Sequence, residues 1–297
     1  MNHTSITDIR ALLDERGIAL KKRFGQNFLV DDNIRRRIVS AILSELDGDD
    51  HAGEDGPDPT GGPPPELWEI GPGIGSLTDL LREIDRPLRL FEIDHGLIAI
   101  LRDRYGQTVA IEAGDALQTL PEASTRYGTP AMIVGNLPYA SASAIVARII
   151  ETPIPVGTML FLVQRELADR FTAIAGSKDY SALSVLVQNH YTTTTLFHVG
   201  GNAFYPRPDV GSTVIVMRER PGRLSPALSA QTSLLARTAF AQRRKAIRNS
   251  LKDYRDVINR CGIDEGLRPE RLSPGDYVVL AREILDTQAI MRGRTPS

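Results

Sequence analysis

Apolar residues fall into two alternating rhythms over much of the chain. Short apolar runs bounded by Gly, Pro or charged residues stand at Leu67–Ile70, Leu88–Ile93, Val109–Glu112, Ala131–Gly135 and Met159–Val163. Runs of that length predict buried strands. Between them the spacing turns helical, at Ser76–Arg82, His95–Tyr105, Ser143–Ile150 and Arg165–Ala173. Strand and helix in steady alternation predict an α/β fold, a doubly wound and mostly parallel sheet covered by helices on both faces.

The flanks read differently. Residues 5–16 and 31–46 are expected to be helical, the latter with Ile34, Ile38 and Ile42 on one face. Between them KKRFGQNFLVDD reads as a basic loop. Ser181–Gln188 is expected to be helical, and Thr192–Val199 and Thr213–Arg218 to be strands. Residues 220–226 carry linker chemistry, and no convincing strand follows. Apolar positions such as Leu235, Ala239, Ile247 and Leu251 predict a small all-α domain. The expected division is therefore 1–219 and 220–297. Residues 47–65, acidic and rich in Gly and Pro, are expected to form a flexible surface loop within the first domain.

Composition narrows the class. With 297 residues, 41% hydrophobic and 24% charged, the chain can bury a core without covalent staples. Cys261 is the only cysteine, which excludes an intrachain disulfide. With five scattered histidines it also gives no zinc pattern, so no metal is expected. No apolar run is long enough for a membrane span and the N-terminus lacks a signal-peptide core, so a cytoplasmic protein is expected. No heptads or long apolar edge call for a partner copy, so a monomer is expected.

The net charge of −2 conceals clusters. Residues 47–58 hold six acids and no Lys or Arg, whereas residues 237–260 hold eight Lys or Arg against Asp253 and Asp256. Residues 21–37 hold six bases against Asp31 and Asp32. Basic patches on a mildly acidic protein suit a polyanion-binding face, although such runs also occur as plain solvated helix faces.

Four motifs then stand at the ends of successive predicted strands. Glu69-Ile70-Gly71-Pro72-Gly73-Ile74-Gly75 follows the first strand and opens a helix. Its G-x-G-x-G spacing, unlike the G-x-G-x-x-G of dinucleotide sites, suits a cofactor without phosphate, bound through an amino-acid part and an adenosine. Glu92, 21 positions after Gly71, ends the second strand, where a carboxylate can accept from ribose hydroxyls. Asp94 beside it is a candidate helix N-cap. Asp115, in Gly114-Asp115-Ala116 after the third strand, can accept from an adenine amino group. Each has a bland alternative as turn or cap chemistry, but ligands of open α/β sheets bind at this end.

The fourth motif, Asn136-Leu137-Pro138-Tyr139, fits methyl transfer to adenine N6. That nitrogen is a poor nucleophile because its lone pair is delocalised into the ring. The Asn136 side-chain oxygen and a backbone carbonyl beside Pro138 can accept its two N–H bonds. Pro138 stiffens the turn and Tyr139 offers a stacking face for an extruded base. An in-line attack on a sulfonium methyl then needs positioning more than a strong base or a metal.

With these residues assembled, the chain resembles the ribosomal RNA small subunit adenine N6-dimethyltransferases (the KsgA/RsmA family) over nearly its whole length. The likeness also rests on Phe24-Gly25-Gln26-Asn27-Phe28-Leu29, Phe204-Tyr205-Pro206-Arg207-Pro208 and the stretch Phe240–Leu251. The resemblance implies a Rossmann-like class I methyltransferase with S-adenosyl-L-methionine as cofactor. It implies cofactor contacts at Asn27, Leu29, Gly71, Gly73, Glu92, Asp115 and Asn136. The target adenine would be handled by Asn136, Leu137, Pro138 and Tyr139, with Phe204 as a second stacking partner. It further implies dimethylation of two adjacent adenosines in the 3′-terminal hairpin loop of 16S rRNA, within the 30S subunit or its precursor, and a role in small-subunit biogenesis. RNA contacts are expected at Lys22, Arg23, Arg207, Arg243, Arg244, Lys245 and Arg248, the last four on a basic helix that docks on rRNA. The chain departs from the family pattern at Asp209 and Gly211, where Lys and Asp are usual, and its acidic loop is longer.

Three other functions share parts of this pattern. A large-subunit rRNA adenine methylase has similar tetrapeptide chemistry, but the basic C-terminal stretch favours the small-subunit branch. A non-catalytic assembly factor would not need Asn136, Pro138 and Tyr139 intact. A nicotinamide dehydrogenase would need the third glycine at a different spacing.

Overall fold

The computed structural model describes residues 5–18, 26–50, 64–152, 154 and 156–293. In chain order the elements are α1 (Ile6–Glu15), β1 (Phe28–Leu29), α2 (Asp32–Asp50), β2 (Leu67–Ile70), α3 (Thr78–Leu81), β3 (Leu88–Glu92) and α4 (His95–Tyr105). Then come β4 (Ala110–Ala113), α5 (Ala116–Tyr127), β5 (Met132–Asn136), α6 (Ala142–Glu151), β6 (Thr158–Gln164), α7 (Arg165–Thr172) and α8 (Ala182–His190). The chain continues through β7 (Tyr191–Val199), β8 (Phe204–Tyr205), β9 (Ser212–Glu219), α9 (Pro226–Phe240), α10 (Ile247–Ser250), α11 (Arg255–Arg260) and α12 (Pro274–Gly293).

Seven strands form one sheet in the order β4-β3-β2-β5-β6-β9-β7. β2 pairs in parallel with β3 (Leu67↔Leu88) and with β5 (Leu67↔Met132), β3 with β4 and β5 with β6. β9 runs antiparallel to β6, from Thr158↔Arg218 to Gln164↔Ser212. The central strands are buried along nearly their whole length, as expected of a sheet covered on both faces. Side chains alternate across it. Leu67, Leu90, Val134 and Leu160 join Ile38 and Ile42 of α2 in one core. Trp68 and Phe91 alternate with them and face each other with ring centroids 5.2 Å apart. The chain runs outward from β2 through β3 to β4, then returns to place β5 on the other side of β2. This reversal opens a crevice beyond the strand C-termini. Gly135 permits close approach there, since a Cβ on it would lie 2.4 Å from the Ile70 carbonyl oxygen.

Backbone contacts divide the chain into one compact unit of Met1–Arg165 and Thr194–Arg218 and another of Glu166–Thr193 and Glu219–Ser297. The division differs from a single cut at 219/220, because α8 packs against α9 and α12 in the second unit. That unit has its own core, including Tyr180, Leu235, Ala239, Ile258, Tyr277 and Leu280. The hydroxyls of Tyr180 and Tyr277 are satisfied by the carbonyls of Leu272 and Pro269, at 3.0 and 2.9 Å. Ser225 caps α9 and Pro226 opens it, the expected chemistry of a helix start.

Several local expectations change. α2 runs on to Asp50, so residues 47–50 of the expected loop are helical, while residues 51–63 lie outside the described residues. α5 forms where no helix is expected, with Pro121 inside it. β1 and β8 pair antiparallel as a separate two-stranded ribbon, Leu29↔Phe204, where the sequence reads as loop. The expected basic helix over 243–248 is instead a turn, residues 241–245, leading into the short α10.

Candidate active site

The crevice widens into a cavity of about 350 Å³ within the first unit. Asn27, Leu29, Gly71, Gly73, Glu92, Asp115, Asn136, Leu137, Pro138 and Tyr139 all line it. Sequence-distant motifs therefore meet in one place.

The glycine-rich turn forms its floor. Gly71, Gly73 and Gly75 have φ of 66°, 60° and 89°, a region that penalises side chains. A Cβ on Gly73 would touch the Phe28 ring at 3.0 Å, and one on Gly71 would lie 3.5 Å from the Asn136 carbonyl oxygen and from Pro138 Cδ. The turn thus lies between the N-terminal segment and the tetrapeptide. Phe28 in turn packs with Ile9 and Leu13 of α1.

Glu92 ends β3 with its carboxylate gripped by backbone. Its Oε1 accepts from Ile93 and Asp94 N–H, both at 2.9 Å, and its Oε2 accepts from Gly73 N–H at 3.2 Å. Burial pushes its pKa up to about 7, a rise opposed by those bonds and assisted by Asp94. Asp94 caps α4, accepting from Gly96 and Leu97 N–H. Asp115 caps α5 through Oδ1 and Leu117 N–H at 3.0 Å, while its side chain lines the cavity.

In the tetrapeptide, Asn136 Nδ2 donates to the Asn27 carbonyl at 2.8 Å. A carbonyl only accepts, so this contact fixes the amide and turns Oδ1 away as an acceptor. The Pro138 carbonyl is taken by Ser141 and Ala142 N–H at 3.1 and 2.9 Å. The acceptor beside the proline is therefore the Leu137 carbonyl. The Tyr139 hydroxyl lies 2.6 Å from Ser212 Oγ, and burial raises its pKa.

Three further lining residues have no role assigned from the sequence. Ile93, immediately after Glu92, is 40% exposed at the cavity and presents an apolar side chain. Ser76, directly after the glycine turn, has a buried Oγ without a hydrogen-bond partner. Glu69 is buried with Oε2 accepting from the Thr78 hydroxyl at 2.6 Å. Burial, reinforced by Asp79 and Glu92, pushes its pKa up to about 8. Adjacency to Glu92 and to the glycine turn is the signal that marks the first two.

Other expected residues lie elsewhere. Phe204 does not line the cavity: it is 3% exposed and its ring joins the core beside Leu29, because β8 pairs with β1 and turns it inward. Arg207 is exposed on the loop after β8. Lys22 and Arg23 lie outside the described residues. In the second unit Arg244, Lys245 and Arg248 are exposed, but Arg243 is half-buried and donates to the Ser177 and Lys178 carbonyls at 3.1 and 2.8 Å. That engagement makes Arg243 a brace of its own unit rather than an open phosphate contact. No group of three or more His, Cys, Asp or Glu side chains capable of holding a metal gathers among the described residues. None of the helices described is long and apolar enough to cross a membrane.

The donor set fits a sulfonium nucleoside cofactor. Glu92 suits a ribose diol, Asp115 an adenine amino group, Ile93 an adenine face, and the unpaired Ser76 hydroxyl can bond a polar ligand atom. A switch-point cavity with strand-tip carboxylates beside a G-x-G-x-G turn fits a class I methyltransferase.

The comparisons narrow that class. A family model described as ribosomal RNA adenine dimethylase matches residues 17–285. The ribosomal RNA small subunit methyltransferase A of Cupriavidus taiwanensis is 38% identical over 281 residues, 91% of this chain and 95% of that protein. The fold is shared with a dimethyladenosine transferase from Plasmodium falciparum, with a TM-score of 0.63 and 21% identity over 75% of this chain and 91% of that one. It is also shared with the 23S rRNA methyltransferase ErmE, with a TM-score of 0.55 and 24% identity over 86% and 98% of the two chains. The chain belongs to the ribosomal RNA adenine dimethylase family, and its reaction is methyl transfer from S-adenosylmethionine to adenine of ribosomal RNA.

Proposed function

We propose that this enzyme converts two adjacent adenosines in the 3′-terminal hairpin loop of 16S rRNA to N6,N6-dimethyladenosine, acting on the 30S subunit or its precursor during small-subunit biogenesis. It does so as a cytoplasmic monomer. The observation that carries the chemistry is the fixed Asn136 amide, whose oxygen is left to face a substrate amino group.

The bound cofactor supplies an electrophilic methyl group on a positively charged sulfur. Glu92 and Asp115 would hold its adenosine, Ile93 would cover the adenine, and Asn27, Leu29, Gly71 and Gly73 would enclose the remainder. Tyr139 stacks on the target base. Asn136 Oδ1 and the Leu137 carbonyl accept the N6–H bonds, which concentrates the nitrogen lone pair on the side facing the methyl. When bound, the cofactor would give its methyl group to N6 and leave as the neutral thioether, and the proton shed by N6 would pass to solvent. Exposed Arg207, Arg244, Lys245 and Arg248, together with Lys22 and Arg23, contact RNA phosphates.

Support for the small-subunit substrate comes from 38% identity over most of the chain to a small subunit methyltransferase, whereas the fold alone is shared with a 23S enzyme. Incubating purified 30S subunits and 23S-derived RNA with labelled cofactor tests it. Label entering the 30S hairpin is the expected result, and label entering only the 23S-derived RNA overturns it.

A further inference from the structure

Among the residues of β9, Ser212 is set apart by what its hydroxyl touches. It opens the strand and is 1% exposed, followed by five further buried positions. Its backbone is fixed by the register Gln164↔Ser212, the last pairing of the β6–β9 ladder. The preceding residue is anchored as well, since the Gly211 carbonyl accepts from Arg165 N–H at 3.0 Å. Ser212 Oγ therefore sits on a rigid support, 2.6 Å from the Tyr139 hydroxyl.

Tyr139 is held at its other end by the tetrapeptide turn. Pro138 restricts the backbone before it, and the bonds from Ser141 and Ala142 to the Pro138 carbonyl close the turn after it. Two rotations of the side chain remain. A phenolic O–H lies in the plane of its ring, so a short bond to a fixed partner restrains both the tilt of the ring axis and the rotation of the ring about it.

We propose that Ser212 is a positioning residue for methyl transfer: its hydroxyl fixes the ring of Tyr139 so that one face is presented to the target adenine. This rests on Tyr139 serving as the stacking face. Ser212 touches neither cofactor nor base and transfers no proton. Its contribution is to spare the base the ordering of a mobile ring, which favours the near-attack geometry. Gly211 departs from the family pattern, but the Ser212 contact does not depend on a side chain there.

The chemistry of paired hydroxyls separates positioning from mere packing. Removing one leaves the other buried and unsatisfied, whereas removing both is nearly neutral for stability. The experiment compares Ser212→Ala, Tyr139→Phe, the double variant and Tyr139→Ala as full-length enzymes on 30S subunits. Single-turnover methyl transfer, melting temperature and cofactor affinity are measured for each. Expected are single losses on the order of tenfold in rate at unchanged cofactor affinity. The double variant should regain the melting temperature of the wild type yet keep the single-variant rate. A wild-type rate in Ser212→Ala, or a rate in the double variant that recovers together with its melting temperature, overturns the proposal. A Tyr139→Ala enzyme that still transfers methyl groups overturns the stacking role itself. A dead Tyr139→Ala beside a fully active Ser212→Ala removes only the part assigned to Ser212.

Discussion

The side-chain nitrogen of Asn136 donates to the backbone carbonyl of Asn27 at 2.8 Å, joining the end of β5 to the segment that enters β1. One amide thereby does two things: its nitrogen secures the cavity wall and its oxygen stays an acceptor at that wall. Replacing Asn136 with Asp keeps the shape but substitutes an acceptor for the donor. Methyl transfer should fall by about a hundredfold or more, with weaker cofactor binding as the Asn27 wall loosens. Single-turnover assays and calorimetry read the two effects, and a wild-type rate would show that the donor contact to Asn27 is not needed to position the acceptor.

Glu92 should dominate cofactor affinity. In Glu92→Gln one carboxylate oxygen becomes an NH2 group amid backbone donors, all of which need an acceptor. Binding measured by calorimetry should weaken by about tenfold to a hundredfold. An unchanged affinity would mean that the ribose lies elsewhere.

Glu69 imposes a pH dependence on stability. Its pKa in the folded protein is raised to about 8, above the ordinary carboxylate value, mainly by burial. For such a group the stabilising contribution is complete below the unfolded pKa and is lost as pH rises through the folded one. Melting temperature of the cofactor-free enzyme should therefore decline between about pH 5 and about pH 8, and Glu69→Gln should flatten that decline. Parallel slopes for the two proteins would count against a buried, protonated Glu69.

Two glycines with nearly equal φ should respond differently to alanine. Gly73 and Gly106 have φ of 60° and 58°, but a Cβ on Gly73 meets Phe28 at 3.0 Å whereas one on Gly106 meets nothing within 4 Å. Both variants should lose about 1–3 kcal/mol of stability from backbone strain. Only Gly73→Ala should also weaken cofactor binding, and equal affinities would show that the Phe28 contact yields without consequence.

Within the basic stretch, neighbours should separate by function. Arg243→Ala removes two bonds to carbonyls and should lower melting temperature. Arg244→Ala and Lys245→Ala should leave it unchanged and each reduce the salt dependence of RNA binding by about one ion. A salt slope that responds only to Arg243→Ala would invert the assignment.

Much of this was legible in the residues themselves. Strands such as Leu67–Ile70 and Leu88–Glu92 are short apolar runs because both faces of the sheet are covered, and the strand-tip carboxylates follow from where those runs stop. α5 was not legible, since Pro121 and its Thr and Ser neighbours depress helix propensity and only tertiary packing overrides them. The β1–β8 ribbon has two residues per strand, too few for a pattern, and its partners lie far apart in sequence. Because that pairing was invisible, the inward turn of Phe204 was invisible too. Residue type alone assigns no role to Ile93 or Ser212, because their contacts depend on where β3 ends and β9 begins. Charge pattern likewise cannot tell an engaged Arg243 from an exposed Arg244.

The ribbon also sets a schedule. The segment Asn27–Leu29 lines the cavity, yet the strand that pairs with it is among the last parts of the first unit to be made. A growing chain holds the glycine turn, both strand-tip carboxylates and the tetrapeptide long before Phe204 and Tyr205 emerge. Until then the wall lacks its partner strand, and the Asn136 amide has no fixed carbonyl to grip. Cofactor binding should therefore be acquired late in translation, and nascent chains of increasing length should gain it only once Tyr205 has cleared the exit tunnel.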